Sequence, residues 1–142
     1  MTRKTLHATC LAAALAAAGF WLGRTTSVEA QSKRVFEIRT YTAHEGKLEA
    51  LHARFRNHTL KLFEKHGMTN IGYWKPADEP LAKDTLIYIV SHPSREAAKK
   101  AWDAFRADPA WQKVRTESEA GEAIVKKVES VFLEAVDYSP MK

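Results

Sequence analysis

The chain has 142 residues, a length typical of one domain rather than two. Apolar residues make up 45% and charged residues 27%, which excludes a chain that is disordered throughout, a collagen-like chain and a multi-span membrane protein. A single cysteine excludes an intrachain disulfide framework and a multi-cysteine zinc site. The net charge is +5; residues 1–30 hold three basic side chains and one acidic side chain, so the rest carries +3. This mild, interspersed charge argues against a nucleic-acid partner.

Residues 1–30 have the pattern of a secretory signal peptide. Two basic residues near the start precede an alanine-rich apolar run over 11–22, and Val28-Glu29-Ala30 fits signal-peptidase cleavage before Gln31. An uncleaved anchor is the alternative, but the apolar run is shorter than the ~20 residues of a spanning helix. We therefore expect a secreted or periplasmic protein, exported by a Sec or a twin-arginine route, with no stable membrane insertion after cleavage. The mature domain covers 31–142.

The mature chain predicts secondary-structure elements in the order β-α-β-β-α-β. Runs rich in branched and aromatic residues predict strands over 35–41, 68–74, 84–92 and 124–138. Apolar periodicity predicts a first helix over 47–66, ended by Gly67. A second helical segment is predicted from the candidate N-cap Ser94 through Ala107; it restarts at Asp108-Pro109 and ends at Gly121.

This order is that of the α+β ferredoxin-like fold, in which an antiparallel sheet of four strands carries both helices on one face. The predicted third and last strands are apolar on both faces, notably at Val131-Phe132-Leu133. A sheet covered on one side only is expected to alternate apolar and polar residues. Because the chain offers no third layer, we expect a homodimer whose sheets face each other.

Several segments together resemble the NIPSNAP family, in their order and spacing over about residues 35–138. They are Phe36-Glu37-Ile38-Arg39-Thr40-Tyr41, Phe55-Arg56-Asn57-His58-Thr59, Lys65-His66-Gly67-Met68 leading to Gly72-Tyr73-Trp74, and Trp102-x-x-Phe105 followed by Asp108-Pro109-x-Trp111. The resemblance implies a dimeric α/β barrel, related in architecture to small antibiotic-synthesis monooxygenases and haem-degrading enzymes. It implies no single activity, because the general biochemical activity of the family is unsettled.

His58 is the candidate catalytic residue. It continues the apolar stripe of the first predicted helix, Leu48, Leu51, Phe55, His58 and Leu62, which predicts burial between helix and sheet. Ligand pockets form in that position, and an imidazole there can act as base, acid or metal ligand. A core histidine satisfied by one backbone hydrogen bond is the alternative interpretation.

Arg39 lies in the middle of the first predicted strand. Because both faces of the sheet are expected to be covered, its guanidinium needs a hydrogen-bond acceptor. One interpretation is an anion clamp for a carboxylate or phosphate ligand. The other is a structural ion pair with an acid such as Glu37 or Glu134.

The strand aromatics Tyr41, Tyr73, Trp74 and Tyr88 either line an aromatic pocket or pack in the core. The candidate ligand-binding residues are therefore Arg39, Tyr41, His58, Trp74 and Tyr88. Trp102, Phe105 and Trp111 stand at helical spacings and are predicted to pack.

The remaining patterns predict neither a metal site nor a cofactor. His44, His52, His58 and His66 are spaced 8, 6 and 8 residues apart, which does not give the i, i+4 pair that shares one ion on a helix. The sequence has no glycine-rich phosphate loop and no serine nucleophile elbow, and the mature chain has no cysteine. Two groups are predicted to be solvated: the basic residues of the first helix, Arg54, Arg56, Lys61 and Lys65, and the acidic pair Glu117 and Glu119.

These patterns predict a small-molecule-binding or interaction module without catalysis, with a small apolar or anionic ligand. The alternative is a small dimeric α/β-barrel enzyme, a cofactor-independent oxygenase or isomerase, with His58 as acid or base and Arg39 orienting the substrate. One histidine and one arginine without a third orienting group favour the module.

Overall fold

The computed structural model describes residues 34–142, so the predicted signal peptide and its cleavage site lie outside the described residues. The strands are β1 (Val35–Ala43), β2 (Thr69–Trp74), β3 (Thr85–His92) and β4 (Val125–Glu134). The helices are α1 (Leu48–Arg54), α2 (Leu60–Lys65), α3 (Arg95–Ala107) and α4 (Pro109–Ser118). A π-helical turn (Phe55–Thr59) joins α1 to α2, and a 3₁₀ turn (Leu81–Lys83) precedes β3.

The four strands form one antiparallel sheet in the order β2-β3-β1-β4. Alternate side chains of β1 and β3 point toward the helices; they include Tyr41, which contacts Phe55, and the fully buried Tyr88. The predicted ferredoxin-like α+β fold is therefore confirmed. β4 ends at Glu134, four residues before the predicted end, because the chain then turns through a backbone hydrogen bond from Ser139 to Val136.

The helix ends follow the local chemistry of the sequence. The Ser94 side chain accepts a hydrogen bond from the backbone of Ala97 at 3.1 Å and begins α3. Asp108 caps α4 in the same way and also accepts bonds from Lys65 and His66, both at 2.7 Å, at the end of α2. Asp108 therefore ties α2 to the α3–α4 junction.

The π-helical turn changes the buried face of the first helical segment. The backbone N–H of Leu60 donates to the carbonyl of Phe55, five residues earlier, and so accommodates one extra residue. The buried stripe consequently runs through Leu48, Leu51, Phe55, Thr59 and Phe63. The predicted burial of His58 is wrong: one residue of extra winding leaves its side chain exposed, and Thr59 takes the core position.

The far face of the sheet carries apolar side chains that no helix covers. Register and alternation place on it Ile38, Ile87, Val131, Leu133 and Trp74. Val131 is 56% exposed and Trp74 is 51% exposed, whereas Phe132, which follows Val131 in the chain, points to the helical side and lies against His92. β4 therefore carries apolar side chains on both faces, as predicted. Those on the far face are exposed to solvent in the single chain.

Candidate functional site

A cavity of about 360 Å³ lies between the helices and the sheet. Most of its wall is aromatic or aliphatic, and the members of that wall are Tyr41, Phe55, Phe63, Trp102, Phe105, Trp111, Ala123, Val125 and Val128. The rings pack edge to face, with centroid distances of 5.0 Å between Phe63 and Phe105 and 5.2 Å between Phe63 and Trp102. The fold therefore builds a preformed apolar cavity where helices and sheet diverge.

One buried cation, Arg54, is part of the same wall. Its side chain is only 3% exposed and donates from Nη1 to the Glu119 carboxylate at 2.8 Å. The guanidinium carbon lies 5.4 Å from the centre of the Trp111 ring, and Nε is buried without a hydrogen-bond partner. The prediction that Arg54 and Glu119 are merely solvated is wrong, because the end of α4 meets α1 at this point.

The other charged members of the wall lie toward solvent. Arg106 and Arg115 are 60% and 63% exposed, and Arg115 donates to the second oxygen of Glu119 at 3.2 Å. Burial raises the pKa of the Glu119 carboxyl, but hydrogen bonds from Arg54 and Arg115 outweigh that effect and lower it. Glu119 is therefore an ionised counterion and a poor proton acceptor.

A second buried network surrounds Glu37, beside the cavity. Its carboxylate accepts hydrogen bonds from Trp102 Nε1 at 2.6 Å, Ser130 at 2.6 Å, Arg39 at 2.8 Å and His92 Nε2 at 3.1 Å. Burial raises the pKa of Glu37, but these donors together lower it to about 2. The carboxylate is satisfied on both oxygens, which makes the network a structural element.

Arg39 forms the structural pair with Glu37, one of the two interpretations that the sequence left open. Its guanidinium carbon also lies 4.2 Å from the centre of a Trp102 ring and 5.8 Å from the centre of the Tyr41 ring. Both of these aromatic residues line the cavity. Arg39 thus stands directly behind the cavity wall, with its charge already compensated.

The predicted tyrosines divide between wall and core. Tyr41 lines the cavity, and Tyr88 lies fully buried behind it, donating from its hydroxyl to the Tyr41 hydroxyl at 3.1 Å. Burial raises the pKa of Tyr88 well above 10, so this phenol stays neutral. Tyr73 stacks on Tyr88 at a centroid distance of 5.3 Å.

His58 and Trp74 do not take part in the cavity. His58 points to solvent from the π-helical turn, and Trp74 lies on the opposite face of the sheet, folded over Gly72. The structure therefore does not bring the five candidate ligand-binding residues together in one pocket. Among residues 34–142, no cluster of three metal-ligating side chains is present, and no helix is long and apolar enough to cross a membrane.

Sequence reasoning missed Arg54, Glu119 and the aromatic wall from α3 and α4. One signal for Arg54 was available, because it follows Leu51 by three residues and precedes Phe55, which places it on the edge of the apolar stripe. No comparable signal exists for Glu119, whose partners lie 65 and 4 residues away in the chain.

Comparison with known proteins decides the family. The NIPSNAP family model matches residues 36–140, which is most of the chain. The chain belongs to the NIPSNAP family. No curated protein matches it.

Solved structures share the NIPSNAP fold of this chain. A NIPSNAP family protein of unknown function from Agrobacterium tumefaciens is 18% identical over 78% of this chain and 95% of its own, with a TM-score of 0.67. An uncharacterized NIPSNAP domain protein from Burkholderia xenovorans is 20% identical over 75% and 98%, with a TM-score of 0.63. SnoaB, a cofactor-independent oxygenase from Streptomyces nogalater, is 15% identical over 77% and 99%, with a TM-score of 0.52. At these identities the likeness extends to the dimeric α/β-barrel type of fold alone.

Proposed function

We propose that this NIPSNAP protein is a small-molecule-binding module without catalysis, which holds its ligand in the aromatic cavity between helices and sheet. The observation that carries the proposal is the cavity of about 360 Å³ with a mostly apolar wall, six aromatic residues among it, and one buried guanidinium. Ligand sites in proteins are concave and mostly apolar, of about 300–1,000 Å³, with a few placed polar groups. The cavity has that size and that composition.

The charged groups of the wall favour binding over catalysis. Acid–base catalysis needs a group that exchanges a proton near the operating pH. Among the described wall residues, the carboxylate of Glu119 is held ionised by two arginines, and the arginines stay protonated. The only histidine that sequence reasoning assigned to the site, His58, is exposed.

A cofactor-independent oxygenase or isomerase is the second candidate, and the fold likeness to SnoaB favours it. Dissolved oxygen, measured while the protein is incubated with a hydroquinone, tests the oxygenase. Uptake above that of Val128→Trp, a variant that blocks the cavity, supports the oxygenase. Equal uptake by the two proteins contradicts it.

We further propose that the protein acts as a homodimer outside the cytoplasm. The open apolar face with Val131 and Leu133 supports the dimer, since a second copy of the sheet offers the same apolar surface in return. The leader-like residues 1–30 support export.

The test of the cavity uses N-phenylnaphthylamine, a neutral aromatic dye whose fluorescence rises in apolar surroundings. Val128→Trp places a bulky ring at a 41% exposed position of the wall on β4, where strands accept aromatic residues. We expect this variant to lose dye binding, while the control Lys100→Trp, at an exposed position of α3, keeps it. Equal dye binding by both variants and the parent protein would contradict the proposal.

A further inference from the structure

Arg54 is held in an unusual environment for a cation. Its side chain is 3% exposed and its guanidinium carbon lies 5.4 Å from the centre of the Trp111 ring, yet only Nη1 has partners: Glu119 at 2.8 Å and Ser118 Oγ at 3.4 Å. Nε is buried without an acceptor. A guanidinium has five N–H donors, and a buried donor without an acceptor is unfavourable. The arginine therefore has hydrogen-bonding capacity that no protein group uses.

The partner of Arg54 is a side chain that an incoming ligand can replace. Glu119 directly follows α4, and its side chain is 19% exposed, compared with 3% for Arg54. It also has an alternative partner in the exposed Arg115, at 3.2 Å. A carboxylate released from Arg54 thus keeps an ion pair and gains water, whereas Arg54 is left without a protein carboxylate to compensate its charge.

The charge of the wall favours an anion. Three arginines line the cavity. Arg106 is paired with Asp103 at 2.6 Å, whereas Arg54 and Arg115 share the single carboxylate of Glu119, which leaves one positive charge in excess. Nearby Arg39 adds no free charge, because Glu37 compensates it. The remaining wall supplies ring faces and edges, from residues such as Trp111 and Phe105, whose centroids are 4.5 Å apart. Such a wall fits a flat aromatic body.

We propose that the cavity takes a flat aromatic organic anion, whose acid group binds the Arg54 guanidinium in competition with Glu119. This rests on the proposed function and names its ligand class. Arg54 is then the ligand anchor, and Glu119 is the counterion that occupies the anchor when no ligand is bound.

Two dyes with one skeleton test the inference. Anilinonaphthalene sulfonate carries an acid group that N-phenylnaphthylamine lacks, and both are titrated by fluorescence. Glu119→Gln removes the competing charge, so we expect the sulfonate dye to bind about tenfold more tightly, as a charge-assisted hydrogen bond to a freed guanidinium implies. The affinity for the neutral dye should change less than about twofold, since no charge is involved.

Two further variants isolate the effect. Glu117→Gln removes the same charge from an exposed position of α4 that does not line the cavity, and should leave both affinities unchanged. Arg54→Gln should abolish the preference for the sulfonate dye. Because Arg54→Gln also removes a buried ion pair and can fail to fold, the decision rests on Glu119→Gln, whose folding is checked by circular dichroism.

The outcomes separate this inference from the cavity proposal. Unchanged or weaker binding of the sulfonate dye by Glu119→Gln overturns the inference, even where Val128→Trp abolishes binding of the neutral dye and so supports the cavity. If Val128→Trp alters the binding of neither dye, the cavity proposal is wrong and the inference falls with it. Tighter binding of both dyes by Glu119→Gln also overturns the inference, because the effect then does not depend on the acid group.

Discussion

The buried Glu37 network makes the stability of this protein depend on pH in a way that one substitution removes. Glu37→Gln keeps the size of the side chain but takes away the charge that compensates Arg39 and accepts from Trp102 and Ser130. Removing one partner of a buried ion pair costs about 3–5 kcal/mol. Since Arg39 keeps 16% exposure, we expect the low end, about 3 kcal/mol at pH 7.

The pH dependence follows from the pKa of Glu37, which falls from an ordinary 4.5 to about 2 on folding. A carboxyl with a lower pKa in the folded protein stabilises it fully above pH 4.5, and this contribution is lost as the pH falls toward 2. The ionised Glu37 contributes about 3 kcal/mol to the free energy of unfolding at pH 7, and about 1.4 kcal/mol of this is lost between pH 7 and pH 3.5. The variant lacks this contribution at every pH.

Urea unfolding followed by tryptophan fluorescence at pH 7, 5 and 3.5 measures the effect. The difference in unfolding free energy between the parent protein and Glu37→Gln should shrink by about 1.4 kcal/mol over this range. Glu117→Gln, at an exposed position of α4, serves as the control and should follow the parent curve. A difference that stays constant with pH would refute the account of Glu37 as an ionised, hydrogen-bonded group.

Three further predictions concern the helix, the dimer and export. Deleting Asn57 from the π-helical turn should leave a protein that unfolds cooperatively when followed by circular dichroism, because Thr59 and Phe63 then continue an ordinary α-helical stripe. Deleting Lys100 from α3, the control, should prevent folding. Light scattering should show two chains for the parent protein and one for Leu133→Asp, because an unpaired charge on a buried apolar face is costly; a parent monomer would contradict the dimer. The intact mass of exported protein should correspond to loss of residues 1–30, and the full chain in a membrane fraction would contradict cleavage.

The order of strands and helices in this NIPSNAP chain was readable from the sequence, because it depends on interactions between near neighbours. The Ser94 and Asp108 caps, the Gly67 stop with φ +77° and the apolar strand β3 each depend on side chains within a few residues. The order β-α-β-β-α-β then leaves few arrangements of a sheet, and the ferredoxin-like one is among them.

The side of the first helical segment that is buried depends on packing against α3. A regular period of 3.6 residues predicts that His58 and Leu62 are buried. Packing against α3 instead buries Phe63, which contacts Trp102 and Phe105. The π-helical turn accommodates that packing, and the Thr59 hydroxyl donates to the Arg54 carbonyl at 3.2 Å. A local pattern does not carry this information, because the competing contacts come from another part of the chain.

The cavity and its charges were likewise decided by the tertiary structure. Arg54 and Glu119 are ordinary surface residues in a sequence, and they become a buried pair only because α4 ends beside α1. The sequence left two roles open for Arg39. Its role is structural because it donates to the Glu37 carboxylate, which also accepts from Trp102 and Ser130. Interactions between near neighbours in the sequence determine the elements and their order, whereas the meeting of residues 65 positions apart decides where a charge loses its water.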